Sequence, residues 1–193
     1  MDAHRNTSGW LMVVALVLAL VLQAAPVQTA HAQDDPDITQ REFTSLIDEA
    51  TATDPVYGPE DGSLELLSDK IAFQNANVDL GDLLVQATFT NPVASTRHSF
   101  DYGITIRERN NGIAAAFLTF IVFESGIWAV VDGDQNILLN DTYDDFNGRR
   151  DATNTLTIYA NQGVVHVGIN GDLLGSIETD IVLPGNVWLG AGF

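Results

Sequence analysis

The acidic and aromatic side chains are where this chain could do chemistry. Cleaving a glycosidic bond takes two carboxyl groups across a sugar, about 5–5.5 Å apart for retention and about 6.5–9.5 Å for inversion. On a strand, the shortest route to such a pair is spacing by two, which puts both acids on one face. The glutamates in apolar surroundings are not so arranged. Glu65 stands among leucines in Leu64-Glu65-Leu66-Leu67, Glu108 sits between Arg107 and Arg109, and Glu124 precedes Ser125-Gly126 at a strand end. A hydrolase built on this chain would have to bring carboxylates together from separate strands. The Gly-x-Ser-x-Gly arrangement of a serine nucleophile is missing.

Binding a sugar asks for less: a flat apolar ring for the C–H face to stack on, with hydrogen-bonding groups beside it. Trp128, Trp188, Tyr102, Tyr143 and Tyr159 are the rings available. Tyr159 shares a strand face with Thr157, opposite Leu156 and Ile158, which predicts an accessible ring. Trp128 and Trp188 are residue types more often found in a core. In Phe100–Arg109, strict alternation sets Phe100, Tyr102, Ile104 and Ile106 on one face and Asp101, Gly103, Thr105, Arg107 and Arg109 on the other. Asp101 and Arg107 are then candidates to bond sugar hydroxyls, with a plain cross-strand ion pair as the competing role. The candidate glycan-binding set is Asp101, Arg107, Tyr159 and Trp128.

Two acidic loops stand out. Asp132-Gly133-Asp134-Gln135-Asn136 matches the start of an EF-hand, but its sixth position is Ile137 and its twelfth Tyr143, where that loop needs glycine and glutamate. An Asp- and Gly-rich hairpin turn accounts for it. Asp141, Asp144 and Asp145, with Asn147, form the second. Four histidines do not assemble a metal centre: His4 and His31 lie in the leader described next, His98 reads as loop and His166 as strand.

At the N-terminus, Arg5 is followed by an unbroken apolar run, Leu11 to Leu22, and then by Ala30-His31-Ala32. This is the pattern of a secretory signal peptide cut after Ala32. The apolar run is too short for the roughly 20 residues of a membrane-spanning helix. Residues 1–32 are thus expected to be a leader, 33–56 a linker with a short helix, and 57–193 a single domain, secreted or extracytoplasmic, with no membrane anchor after cleavage. The formal charge is −18, and Lys70 is the one lysine. Such a chain is a poor partner for nucleic acid or an anionic membrane. It has no cysteine to staple it, and needs none at this length.

The elements that must position these groups are mostly strands. Phe43, Leu46, Ile47 and Ala50 recur at helical spacing behind Thr39 and Glu42, a capping-box pair, predicting one short amphipathic helix over Ile38–Ala50. Asp54–Gly62 is loop. Strands are then expected at Leu64–Leu66, Ile71–Phe73, Asp82–Asn91, Phe100–Arg109, Ala114–Glu124, Ile127–Val131, Asn136–Leu139, Leu156–Ala160, Val164–Ile169, Leu173–Ile177 and Val187–Gly190. Ala114–Glu124 is apolar on both faces and reads as a central strand covered on both sides. Turns at Gln162-Gly163 and Asn170-Gly171 mark antiparallel hairpins. Many short strands with such turns predict an all-β sandwich of two antiparallel sheets, with a barrel as the alternative.

Several segments carry a family resemblance. Asn154-Thr155-Leu156-Thr157-Ile158, followed by a turn and Ile169-Asn170-Gly171, is similar to the penultimate hairpins of bacterial concanavalin A-like (laminin G-like) jelly-roll domains. Tyr57–Leu64, Ala87-Thr88-Phe89-Thr90-Asn91-Pro92, Phe100–Arg107 and Gly185–Phe193 resemble further pieces of that family in the same order. The resemblance implies a jelly-roll fold shared with lectins, glucanases and sugar-binding modules, and hence a glycan or another cell-envelope component as partner. It implies that calcium is the cation Asp141, Asp144 and Asp145 would take. The Glu-x-Asp-x-x-Glu strand of the glucanases is absent, which points to a non-catalytic module. The family's strand after the closing Gly-Phe has no counterpart here, which predicts an open sheet edge able to accept a strand from a protein partner.

Overall fold

The computed structural model describes residues 12–14, 21–24, 38–66, 71–93, 95, 99–110 and 115–192. Strands β1 (Met12–Val14) and β2 (Val21–Ala24) precede helix α1 (Gln40–Thr51). There follow β3 (Leu64–Leu66), β4 (Ala72–Leu80), β5 (Leu83–Thr90), β6 (Asp101–Asn110), β7 (Ala115–Phe123) and β8 (Ile127–Asp132). The set ends with β9 (Ile137–Thr142), β10 (Thr153–Asn161), β11 (Val164–Ile169), β12 (Asp172–Glu178) and β13 (Gly185–Ala191). A six-stranded sheet runs β4-β13-β6-β7-β8-β9 and a five-stranded sheet runs β12-β11-β10-β5-β2; β1 pairs with β3 apart from both. Every pairing is antiparallel. The expected sandwich of two antiparallel sheets with one short helix is what the chain forms.

Alternation builds the core. Ile104, Ile106, Leu118, Phe120, Trp128 and Leu189 of the larger sheet face Val85, Phe89, Ile158, Val165 and Val167 of the smaller, all buried. At one end of the core a small polar network is fully enclosed. The Tyr102 hydroxyl donates to Asn91 Oδ1 at 3.2 Å and accepts from Asn154 Nδ2 at 3.0 Å. The Asn91 amide in turn donates to the carbonyls of Asn147 and Arg149. Tyr102 stacks on Phe89 at 4.4 Å, and burial pushes its phenol well above the ordinary range. It is a structural tyrosine, not a binding platform.

The helix begins as the sequence predicts. Thr39 caps it, accepting from the Glu42 N–H, while the Glu42 carboxylate accepts from the Thr39 N–H at 2.7 Å; that backbone hydrogen bond holds the Glu42 carboxyl below its usual value. The position of the helix is the surprise. It lies on the outer face of the five-stranded sheet, where Phe43 and Ala50 pack with Leu84 and Tyr159. Gly168 permits this, because a Cβ there would stand 2.7 Å from the Phe43 ring. Gln40 fastens the helix to the β11–β12 turn, donating to the Gly171 carbonyl at 2.8 Å and accepting from the Leu173 N–H at 2.6 Å.

One strand boundary is corrected. β4 runs to Leu80, well past Phe73: Ala76, Val78 and Leu80 turn to the core in alternation with Asn75, Asn77 and Asp79, and Asn77 takes φ 56° where the pairing with β13 slips. β2 pairs with β5, Val21 opposite Gln86 through Ala24 opposite Leu83. The linker at 33–37, the cleavage site, His98 and Phe193 lie outside the described residues.

Phe43 has no exposed surface, so Phe43→Ala is expected to cost about 3–5 kcal/mol of folding stability. Urea denaturation monitored by circular dichroism checks this; a loss below about 1 kcal/mol would mean the helix is not docked.

Candidate functional site

With the helix on the smaller sheet, the larger sheet keeps an outer face that no other described element covers, and its register builds a cleft there. Trp188 of β13 stands opposite Thr105 of β6, Thr105 opposite Thr119 of β7, and Thr119 opposite Val131 of β8. On the next rung of the same face Phe73 pairs with Gly190, Gly190 with Gly103, and Gly103 with Ile121. Two neighbouring glycines leave that rung without side chains in its middle, between an aromatic ring and an isoleucine. The result is an open cavity of about 520 Å3, lined by Ile71, Phe73, Thr105, Glu108, Phe117, Thr119, Ile121, Val131, Asp132, Gln135 and Trp188.

Phe73 and Trp188 meet edge to face at 6.1 Å and make one wall. Phe73 is about half exposed, an unusual state for a phenylalanine that had no surface role (48%). The Thr105 and Thr119 hydroxyls satisfy each other on the floor at 2.9 Å. Asp132 accepts from the backbone of Asp134 and Asn136, at 3.0 and 2.9 Å, and from the Asn136 amide. Those bonds, led by the Asn136 side chain, hold its carboxyl below the usual range. Glu108 accepts from the Asn186 amide and the Trp188 indole N–H, each at 3.4 Å.

Glu108 reaches the cleft because β6 bulges. Its pairing with β7 slips between Ile106 and Arg109, and its pairing with β13 slips between Asn186 and Trp188. Arg107, with φ 55°, is the displaced residue. Strict alternation would send Arg107 to the outer face, and here the structure overturns the sequence reading. Arg107 is wholly buried, its Nε donating to the Gly81 carbonyl at 2.8 Å and its Nη1 to the Ile181 carbonyl at 2.6 Å. Asp82 lies 3.7 Å from Nη2. Burial pulls the guanidinium's pKa down, opposed by the Asp82 charge.

The remaining sequence candidates do not converge. Tyr159 lies beneath the helix and is 7% exposed, with its ring stacked against His166; the accessible ring expected from its strand face is corrected, because α1 covers that face. Trp128 is in the core, edge-on to Phe120 at 6.1 Å. Asp101 is partly buried and accepts from the Gly192 N–H. Asp141 caps its own strand by accepting from the Thr142 N–H at 2.8 Å, while Asp144 and Asp145 are exposed. Among the described residues no three Asp, Glu or His side chains gather where a metal ion would sit.

Trp188, by contrast, faces the cleft. Phe73, Glu108, Phe117, Ile121 and Gln135 join it there, and alternation alone did not single them out. One signal for three of the lining residues was present: Phe117, Thr119 and Ile121 form the second, mostly apolar face of β7, read as covered from both sides. That face lines the cleft instead.

No family model matches the chain, and no curated protein matches it in sequence. Solved structures do. A carbohydrate-binding module, CBM66 from Bacillus subtilis, is similar with a TM-score of 0.53 and 10% identity over 67% of this chain and 81% of that one. A protein of unknown function with a galectin-like fold, also from Bacillus subtilis, gives 0.53 and 8% over 69% and 76%. A Bacillus licheniformis β-glucanase gives 0.47 and 9% over 62% and 57%. At these identities the likeness is one of fold: the chain is a jelly-roll β-sandwich of the concanavalin A-like and galectin-like type.

Tyr143 donates to Asp172 at 2.6 Å, and partial burial followed by that carboxylate pushes its phenol up to about 12. Tyr57 is likewise pushed up to about 12, chiefly by its hydrogen bond to Glu60. Unfolded tyrosines ionise near pH 10. Between about pH 10 and 12 the folded chain therefore holds more protons than the unfolded one, and stability should fall as pH rises through that window. Ultraviolet titration should place both phenolates near pH 12, with the urea midpoint falling over the same range. Phenolates appearing near pH 10 in the folded protein would contradict both hydrogen bonds.

Proposed function

We propose that this chain is an exported, non-catalytic module that binds glycan on the outer face of its six-stranded sheet. The observation that carries the reading is the cleft's Phe73–Trp188 wall, two rings meeting edge to face at 6.1 Å beside an open cavity of about 520 Å3. A cleft of this size fits a sugar ring or a short run of them, and an indole face offers the flat apolar surface on which the C–H face of a pyranose stacks. Glu108, Asp132 and Gln135 at the rim are the polar groups within the same cavity. The similarity in fold to a carbohydrate-binding module supports the reading by analogy alone. The leader pattern before Ala32 and the acidic composition support export.

Hydrolysis is the second reading, and one feature favours it: Glu108 and Asp132 come from separate strands, β6 and β8, into a single cavity. Against it stands the chemistry of the pair. A glycosidase needs one carboxyl that keeps its proton. Asp132 is held low by its hydrogen bonds and does not supply that proton. Binding without turnover fits this arrangement better. A calcium ion at Asp141, Asp144 and Asp145 is a further proposal, which the chelator arm below tests.

Trp188→Ala is expected to weaken retention on an immobilised-glycan panel by about tenfold or more, corresponding to about 1–3 kcal/mol of stacking, with little change in the urea midpoint. The panel is run with calcium and again with a chelator, and released reducing sugar is assayed in parallel. Retention unchanged in the variant would remove the cleft from the binding site. Sugar release by the wild-type protein would replace the binding reading with the hydrolytic one.

A further inference from the structure

We infer that the cleft's ligand is a glycan bearing free amino groups, and that Glu108 is the residue that selects it; the inference rests on the glycan-binding reading of the cleft. The argument is one of donors and acceptors. The cavity carries two carboxylates, Glu108 and Asp132, and among the described residues no Lys, Arg or His lines it. Its potential donors are partly spent, with the Gln135 amide and one of two threonine hydroxyl hydrogens left over. The Trp188 indole N–H and the Asn186 amide point at Glu108, and the Thr105 and Thr119 hydroxyls bond each other. Asp132 is taken up by its own turn, so the acceptor the cleft offers is Glu108, both of whose donors go to one carboxyl oxygen, and a donor on the ligand is what it calls for.

A hydroxyl both gives and takes, and an N-acetyl group brings a carbonyl that needs a donor. A protonated amine gives three hydrogen bonds and takes none. It is also the one common sugar substituent that gains from the face of an aromatic ring, and the Glu108 carboxylate is bonded to the ring that would serve. A carboxylate beside an indole is an arrangement suited to an ammonium group. A sulfated or uronic acid polymer would meet two like charges in the cavity and a chain of net charge −18 around it. The same field would draw a cationic ligand in.

The test compares soluble glucosamine oligomers with N-acetylglucosamine oligomers of equal length and linkage, at a pH where the amine is protonated, with neutral β-glucan and a sulfated galactan alongside. Dissociation constants are measured on residues 1–193 and on Glu108→Gln, which keeps an acceptor for Trp188 and Asn186. Each is taken at about 0.15 M and about 0.5 M salt, the latter screening the general surface field. The expected result is that wild-type protein prefers the amino oligomer by about tenfold or more. Most of that preference should persist at high salt, and Glu108→Gln should bring the ratio close to one. Equal or tighter binding of the N-acetylated oligomer, or of the sulfated polymer, overturns the inference and leaves glycan binding standing. A preference that disappears with salt equally in both proteins also overturns it, because the selection would then belong to the acidic surface. Failure of every glycan to bind folded protein removes the glycan-binding reading itself.

Discussion

A guanidinium with no exposed surface sits where the two sheets meet at one end, and the arrangement of the cleft follows from it. Arg107 donates to the carbonyls of Gly81 and Ile181, one in the β4–β5 turn and the other in the segment leading to β13. A buried cation is tolerable only when it is bonded and countered, and here two carbonyls and Asp82 do this. Seating Arg107 inward requires the bulge in β6, and the bulge requires glycine at 185, since a Cβ there would run into the backbone of Arg107 and Glu108. The same irregularity that turns Arg107 inward turns Glu108 outward.

The two sheets divide their outer faces between stability and access. On the five-stranded sheet, Leu84, Tyr159 and the space over Gly168 are covered by the capped helix, which adds a second small apolar cluster to the main core. On the six-stranded sheet no comparable cover lies among the described residues, and Ile71 and Phe73 stay about half exposed. Large apolar groups left at a surface next to a cavity mark a place where something else is meant to complete the packing.

Much of the fold could be read from residue order. Alternation in Asp101–Ile106, the Asn170-Gly171 turn with both residues at positive φ, and the Thr39–Glu42 cap each depend on neighbours a few positions away. Those were legible. The site was harder, because it depends on three things that local pattern does not encode. Alternation assigned Arg107 to the wrong face, since a bulge reverses the assignments past it. Tyr159 looked accessible because its strand face is half polar, and only the docking of a helix more than a hundred residues earlier in the chain buries it. Gly103 and Gly190 become a groove only once β6 and β13 are known to be neighbours. Trp188 was visible as a candidate ring, but its orientation was not.

The pairing of β2 with β5 places Val21–Ala24, part of the stretch that reads as a leader, inside a folded sheet. Were the chain exported, a translocation channel would need that same stretch unfolded. Folding and passage would then be rivals for one set of backbone hydrogen bonds, and their order would decide which molecule results: a chain folded first would keep the stretch as a structural strand, and a chain threaded and trimmed first would fold without the β2 neighbour of β5.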